Sequence, residues 1–368
     1  METNIIENGE ILESRLQNKK VLYILFNNAP SATVRALSFK SEYLKYKVKV
    51  DFFFMSVNFI ENLATRACCF DFFMFILRVF RKLCYIYKQH NLLKIVKNYD
   101  TIVTIKYINS KLLSQIKAKT RAKILYDFDD AVWLDSYFVG ENEFRKVITL
   151  ADVTTSDNHY LAKRASEYNK NSFVVNGPSQ IELFTKISKM EREDEQIILG
   201  WIGSSSTLFY LYKIYEVLET VGEKYPNVVL KIVGTQNRND LIPPFEKIKT
   251  ITIPWYDQFE MVKQVYTFDI GLYPLFYNEL SLGRGSLKAT IYMSAKVPVI
   301  CSAIGENKNI IIDRKNGFLA ETPEDWLDKL SLLIDDKKFR VLIGQKGFEY
   351  VQKYYSTAYC FKQLLIHL

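Results

Sequence analysis

The sequence predicts an α/β protein made of two doubly wound domains, and three observations predict it. Short apolar, β-branched runs alternate with longer amphipathic stretches along most of the chain. These runs form two series, separated by the polar segment "ISKMEREDEQ", Ile187–Gln196. The length, 368 residues with 48% hydrophobic composition, suits two cores of ordinary size.

The first series is Lys20–Phe26, Val48–Met55, Asp100–Lys106, Lys123–Phe128, Asp152–Ser156 and Ser172–Gly177. The second is Ile197–Gly203, Val228–Gly234, Ile251–Trp255, Asp269–Leu275 and Val297–Ser302. Most of these runs are continuously apolar, as expected of parallel strands covered on both faces. Strand–helix alternation within each series then implies an open parallel sheet with helices on both sides. The boundaries expected are residues 1–178 for an N-terminal domain, 179–350 for a C-terminal domain, and 351–368 for a terminal helix that could pack back on the first. In such sheets ligands bind at the carboxyl ends of the strands, so the residues of interest are those just past each run.

Composition narrows the function. The first twenty residues are polar and lack the apolar core of a secretory leader. The greasiest stretch, "CCFDFFMFILRVF" at Cys68–Phe80, is too short to span a bilayer. Five cysteines without metal or framework spacing read as reduced thiols, which points to the cytoplasm. Residues 45–125 hold 16 Lys and Arg against 4 Asp and Glu, a net +12 interleaved with Phe and Tyr. A solvated basic face explains that, and so does peripheral contact with an anionic membrane. No nucleic-acid-binding signature accompanies the charge, and nucleic acid is not expected as a partner.

Two motifs in the second series carry chemistry. In "GWIGSSSTLFYLYKIYEVL" a strand ends at Gly203, and Ser204, Ser205, Ser206 and Thr207 lead into a helix. Free N–H groups at such a start attract phosphate, although the same residues also serve as plain caps. In "LGRGSLKATIYMSAKVPVICS" Gly283 and Gly285 flank Arg284, Ser286 opens a helix, and Lys288 lies one turn from Arg284. Two cations at a glycine-softened helix start make a candidate diphosphate clamp; a surface Arg and Lys beside a loop is the plainer reading.

The ordered run "GWIGSSST", "LKIVG", "IPW", "DIGLYPL", "GRGSLKATIYMSAKVPVICSAIGENKNII" and "NGFLAETPEDWLDKL" resembles the donor domain of GT-B glycosyltransferases of family 4, the group 1 glycosyl transferases. "PSATVRALSFKSEYL", "ILYDFDDAVW", "ADVTTSDNHYLAKRA" and "VVNGPSQIELF" resemble pieces of the partner domain in the right order. The resemblance implies two Rossmann-like domains facing across a cleft, with Asn176 and Gly177 at the hinge. It also implies a nucleotide-diphosphate sugar bound by the second domain, an acceptor bound by the first, and transfer with retention. There are departures. Two glutamates that many members place near the ribose fall at Gly283 and Ile291, and the usual Arg and Lys after the first donor strand are replaced by "SSST". Diphosphate binding then rests on Arg284, Lys288 and backbone N–H groups, with Glu306 a substitute for the missing acids. Trp255 and Tyr256 could pack on a nucleobase or in the core.

"KILYDFDDAVWL" places Asp127, Asp129 and Asp130 just past an apolar run. Three acids there could hold a metal, supply a nucleophile, or line a cleft wall that meets acceptor hydroxyls or the sugar; simple helix capping is the plainer reading. Ala131 stands where the phosphohydrolase motif has threonine, which disfavours a nucleophile. Since the resembled enzymes replace metal with cations and a helix dipole, the cleft reading is preferred. Asp127 and Asp130 are then catalytic candidates, with Asp129, Asn28, Arg35 and His159 lining the acceptor side. Neither a metal nor a separate cofactor is expected. The function expected is glycosyl transfer to a glycan or lipid-linked acceptor in envelope polysaccharide or glycoconjugate synthesis, at the cytoplasmic face of the membrane. An inactive binding protein and a nucleotide-sugar epimerase of the same fold are the alternatives.

Overall fold

The structure, a computed structural model, describes residues 18–27, 30–56, 71–134, 140–179, 181–187, 195–254 and 257–368. Side chains 30 and 71–77 are not described. It divides into two compact units: Met1–Gly177 with Cys360–Leu368, and Pro178–Tyr359.

The first unit holds a six-stranded sheet of order β2-β1-β3-β4-β5-β6. The strands are β1 (Lys20–Leu25), β2 (Lys49–Phe54), β3 (Thr101–Ile105), β4 (Lys123–Phe128), β5 (Val153–Ser156) and β6 (Ser172–Val174). All neighbours are parallel. Successive residues of a strand point to opposite faces, and β1 serves two cores accordingly. Leu22 and Ile24 pack with Phe128, Phe144 and Ile148. Val21, Tyr23 and Leu25 pack with Tyr43 and Phe361. Phe361, from the returning C-terminal segment, sits 4.7 Å edge-on to Tyr43 and also meets Phe39 and Tyr46.

The second unit repeats the design with order β12-β11-β10-β7-β8-β9, again parallel throughout. Its strands are β7 (Ile197–Ile202), β8 (Val228–Val233), β9 (Lys249–Ile253), β10 (Ile270–Tyr273), β11 (Val299–Ser302) and β12 (Phe318–Ala320). β12 is absent from the expected set because three residues are too few to show a pattern. β9 begins two residues earlier than expected and ends at Ile253.

The helix expected after β7 is two structures. Ser205–Ile214 is a 3-10 helix, and only Tyr215–Lys224 is α-helical. Leu208, Leu211, Ile214 and Val217 are buried at a strict spacing of three, while Phe209 and Tyr212 are exposed. That spacing fits the three-residue turn of a 3-10 helix and lets the run extend beyond its usual length.

Strand order reverses between β7 and β10, the place where doubly wound sheets open a ligand crevice. Their pairing stops at Gly200–Gly271. Beyond it the Tyr292 hydroxyl enters the ladder: the Ile202 N–H donates to it at 2.9 Å, and it donates to the Leu272 carbonyl at 3.2 Å. A Cβ on Gly271 would stand 2.5 Å from the Tyr292 ring, so a side chain there would push the ring out. Tyr292→Phe should leave two buried backbone groups without this partner and cost about 1–3 kcal/mol. Denaturant unfolding measures it; an unchanged midpoint would mean that the strands close the gap themselves.

Candidate active site

In the second unit, Gly203 ends β7 and the helix Leu287–Ser294 starts beside it. Lys288, on the first turn of that helix, lies 4.2 Å from the Trp201 ring and 5.6 Å from the Tyr273 ring. Its Nζ donates to Thr207 Oγ1 at 3.4 Å, and a Cβ on Gly203 would come within 2.6 Å of that nitrogen. A side chain at 203 would press on the Trp201 ring, at 2.5 Å, as well as on the ammonium. A cation missing from the loop in sequence thus reaches the same loop in space. Burial pushes the Lys288 ammonium down to about 7, and the Arg284 charge adds to the effect.

The serines of this loop have local partners. Ser204 and Ser206 hydroxyls pair at 2.9 Å, Ser205 donates to Gln236 Oε1 at 2.8 Å, and Thr207 donates to the Ser204 carbonyl at 2.9 Å. Gly285 is held through its carbonyl by the Tyr273 hydroxyl at 3.0 Å. Ser286 occupies the cap position of the Lys288 helix, but its hydroxyl donates to Asn307 Oδ1 instead of capping. Glu306 is buried and accepts from Asn309 Nδ2 at 3.2 Å. Ile291, where many members carry a glutamate, is a core residue, and Gly283 is buried at the end of the Glu279–Leu282 turn. Trp255, Tyr256 and Asn28 lie outside the described residues.

In the first unit the candidate residues converge on the carboxyl ends of β1, β3, β4 and β5. Arg35 ends the short helix Pro30–Arg35 that follows β1. It grips Asp127 with two hydrogen bonds, 2.5 Å from Nε and 2.6 Å from Nη2, and donates to the Val175 carbonyl. The Thr155 hydroxyl donates to the same carboxylate at 2.6 Å. Both members of the pair are almost wholly buried. Burial opposes the guanidinium charge, but Asp127 outweighs it and holds Arg35 above its ordinary range. Asp127 is thus an internal counter-ion with both oxygens engaged.

Asp129 and Asp130 share Lys106, which follows β3, at 3.1 and 2.8 Å. Asp130 reaches it through a left-handed backbone, φ 60°, which aspartate tolerates better than most residues. Ser31 donates to Asp129 at 2.6 Å. Burial works to raise the Asp129 carboxyl, yet Lys106, the Ser31 hydroxyl and Arg35 together hold it below the usual range. His159 opens the helix His159–Ser166 on an exposed position. Among the described residues, no group of three His, Cys, Asp or Glu side chains is arranged to hold a metal. Lys106 and Arg35 stand where a cation would.

Motif reading alone misses Asp157, which follows β5 and sits within this group. Its Oδ1 is sealed from solvent and accepts no hydrogen bond among the described residues. Burial pushes its carboxyl up to about 7; Arg35 pulls it down, while Asp129, Asp130 and Asp127 push it further up. A carboxyl poised near neutrality suits proton exchange with a hydroxyl. Lys106 and Asp157 stand at or just past the ends of the runs "TIVTIK" and "DVTTS", so the strand-end rule that singled out Asp127 would have found both.

The family model of the group 1 glycosyl transferases matches residues 183–350, which is nearly all of the second unit. The second unit is thus similar to the group 1 glycosyl transferases. An uncharacterized glycosyltransferase of Methanocaldococcus jannaschii is 36% identical over 64 residues, a stretch spanning 17% of this chain and 18% of that protein. Among solved structures, Anabaena HepE in complex with UDP and glucose has a TM-score of 0.64 at 12% identity, covering 95% of this chain and 99% of that one. A glycosyltransferase from Rickettsia africae gives 0.66 at 13% identity, with 95% and 97% covered. Sucrose-phosphate synthase from Thermosynechococcus elongatus gives 0.63 at 13% identity, with 95% and 98% covered. These likenesses show the GT-B fold. The matched range holds Arg284 and Lys288, the residues expected to clamp a diphosphate, and the acidic group lies in the other unit.

Asp127→Ala would strand the Arg35 charge in a dry site and should destabilise the first unit by about 3–5 kcal/mol. The Arg35→Met and Asp127→Leu pair should lose much less, which denaturant unfolding of the three variants checks. A second expectation follows from Asp157. Its folded pKa lies above the ordinary carboxylate value, so the folded state holds the extra proton and loses stability as pH rises towards about 7. Asp157→Asn should flatten thermal stability between about pH 4 and 7. A variant whose stability falls with pH as the parent's does would refute the shift.

Proposed function

We propose that this chain transfers a sugar from a nucleotide-diphosphate sugar to a glycan or lipid-linked acceptor, with retention of configuration. The observation that carries the proposal is Lys288, packed against Trp201 and Thr207 at the β7–β10 switch point with Arg284 beside it. Charge builds on the leaving diphosphate in the transition state, and fixed cations in a partly dry site stabilise it strongly. Lys288 has a lowered proton affinity in the free protein; a bound diphosphate would reverse that and draw a proton onto it. The UDP and glucose named for HepE support a uridine nucleotide as the first donor to try.

The acid-rich group of the first unit is assigned to the acceptor. Asp157 would exchange a proton or hydrogen bond with an acceptor hydroxyl, Asp130 and Asp129 would orient it, and Arg35–Asp127 would keep the wall in shape. No metal is required in this scheme, because Lys106 and Arg35 already neutralise the aspartates. The net +12 of residues 45–125 supports work at an anionic membrane on its cytoplasmic side, on envelope polysaccharide or a glycoconjugate. No helix among the described residues is long and apolar enough to cross a membrane.

The test is donor hydrolysis and transfer with a panel of nucleotide sugars. Lys288→Ala and Arg284→Ala should each lower turnover about 10²–10³-fold with folding intact. UDP binding to the parent near pH 8 should take up a proton, seen by calorimetry in buffers of different ionisation enthalpy, and Lys288→Met should abolish the uptake. Activity should survive excess EDTA. Near-parental turnover in both alanine variants would remove the clamp. Loss in EDTA restored by Mg²⁺ or Mn²⁺ would install a metal. Epimerisation without transfer would change the reaction class.

A further inference from the structure

The helix Asp71–Ile95 carries its apolar side outward. Val79, Phe80, Leu83, Ile86 and Tyr87 are all exposed, Tyr87 by 67%. At 100° per residue these positions fall within an arc of about 120° on one face. The opposite face fixes this orientation. The Lys88 ammonium donates to the carbonyls of Phe54, at 2.7 Å, and Ser56, just past β2. Leu92 is fully buried, and Tyr85 and Leu93 pack on the core of the first unit. The helix cannot roll its apolar face inward without breaking these contacts.

Charge identifies what the face meets. From Phe72 to Tyr99 the sequence contains no Asp or Glu, and it holds Arg78, Arg81, Lys82, Lys88, Lys94 and Lys97. Lys82 is exposed at the edge of the apolar arc and Lys94 continues its face two turns on, while Arg78 and Arg81 are exposed on the far side of the same stretch. An isologous contact with a second copy would set these cations against their own equivalents within a screening length. An aqueous surface leaves five large apolar side chains wet. Apolar residues flanked by cations on one face are the pattern of a helix that lies in a bilayer interface.

We infer that Val79, Phe80, Leu83, Ile86 and Tyr87 insert into an anionic bilayer, with Lys82 and Lys94 on its headgroups. The inference rests on the membrane reading proposed above. It adds that the contact is an apolar insertion through one helix face, beyond charge attraction by the whole basic region. The helix would lie along the membrane and hold the first unit beside lipid-linked acceptors. Association would then depend on both apolar area and lipid charge.

The test uses the full chain with phosphatidylcholine vesicles, with and without phosphatidylglycerol. The emission of the Tyr87→Trp variant should shift to the blue on anionic vesicles and be quenched by lipids brominated in their acyl chains. Leu83→Ser with Ile86→Ser should weaken co-sedimentation by about tenfold or more while keeping every charge and the parental melting temperature. Lys82→Glu with Lys94→Glu should lose the preference for anionic lipid. An unquenched Tyr87→Trp variant, with serine variants that bind like the parent, would overturn the insertion. If salt still abolished binding in that case, the broader electrostatic reading would stand. Absence of any binding to anionic vesicles would remove both. A dimer in light scattering that the serine variants dissociate would give the face to a second copy.

Discussion

The second unit of this protein depends on one hydroxyl inserted between two strands. β7 and β10 are paired up to Gly200 and Gly271 and then part, which leaves the Ile202 N–H and the Leu272 carbonyl facing a gap. Tyr292 satisfies both with a single oxygen, as only a group that donates and accepts can. Because Tyr292 lies one turn beyond Lys288 on the same helix, the contact that props the crevice open also fixes where the cation stands. Glycine at 203 and 271 makes room at both ends of the device, for the ammonium and for the ring. The cationic site and the strand split are one construction.

The first unit solves the same topological problem with charge. Sheet order brings the ends of β1, β3, β4 and β5 side by side, and each delivers an ionisable group: Arg35, Lys106, Asp127 to Asp130, and Asp157. Two cations face four carboxyls. Arg35 takes Asp127 completely, and Lys106 divides itself between Asp129 and Asp130. Asp157 is left buried without a hydrogen bond at Oδ1, and burial, with repulsion from three acids, outweighs the pull of Arg35, so its proton is held to about neutral pH.

These two sites were unequally legible in the sequence. The strands showed themselves because covered parallel strands are continuously apolar, and strand ends then pointed to Gly203, Arg284, Lys288 and the aspartates. Pairings across long separations did not show. Arg35 and Asp127 are 92 positions apart, and nothing local in "SATVRAL" or "DFDD" marks them as partners; only the adjacency of β1, β3 and β4 does. Tyr292 reads as an ordinary core aromatic in "ATIYMS" until the parting of β7 and β10 is known. The 3-10 run was hidden differently: Leu208, Leu211 and Ile214 also fit a helix read at three and four, and the two periods separate only over a longer stretch.

The replacement of loop cations by "SSST" has a consequence for how the clamp works. A cation on the loop itself would be solvated before a ligand arrived. Lys288 comes instead from the helix behind, between Trp201 and Tyr273, where burial and Arg284 both disfavour its charge. Two like charges are held close by the fold with little water to relax them, so the free site is electrostatically strained. An anion that binds there gains attraction to Arg284 and relieves the strain on Lys288 in the same step. If this is the diphosphate site proposed above, the gain would grow as negative charge accumulates and favour a departing diphosphate over the intact donor. On the proposed reading, a site arranged in this way would discriminate between ground and transition states through the proton affinity of one lysine, without a ribose-binding glutamate at 283 or 291.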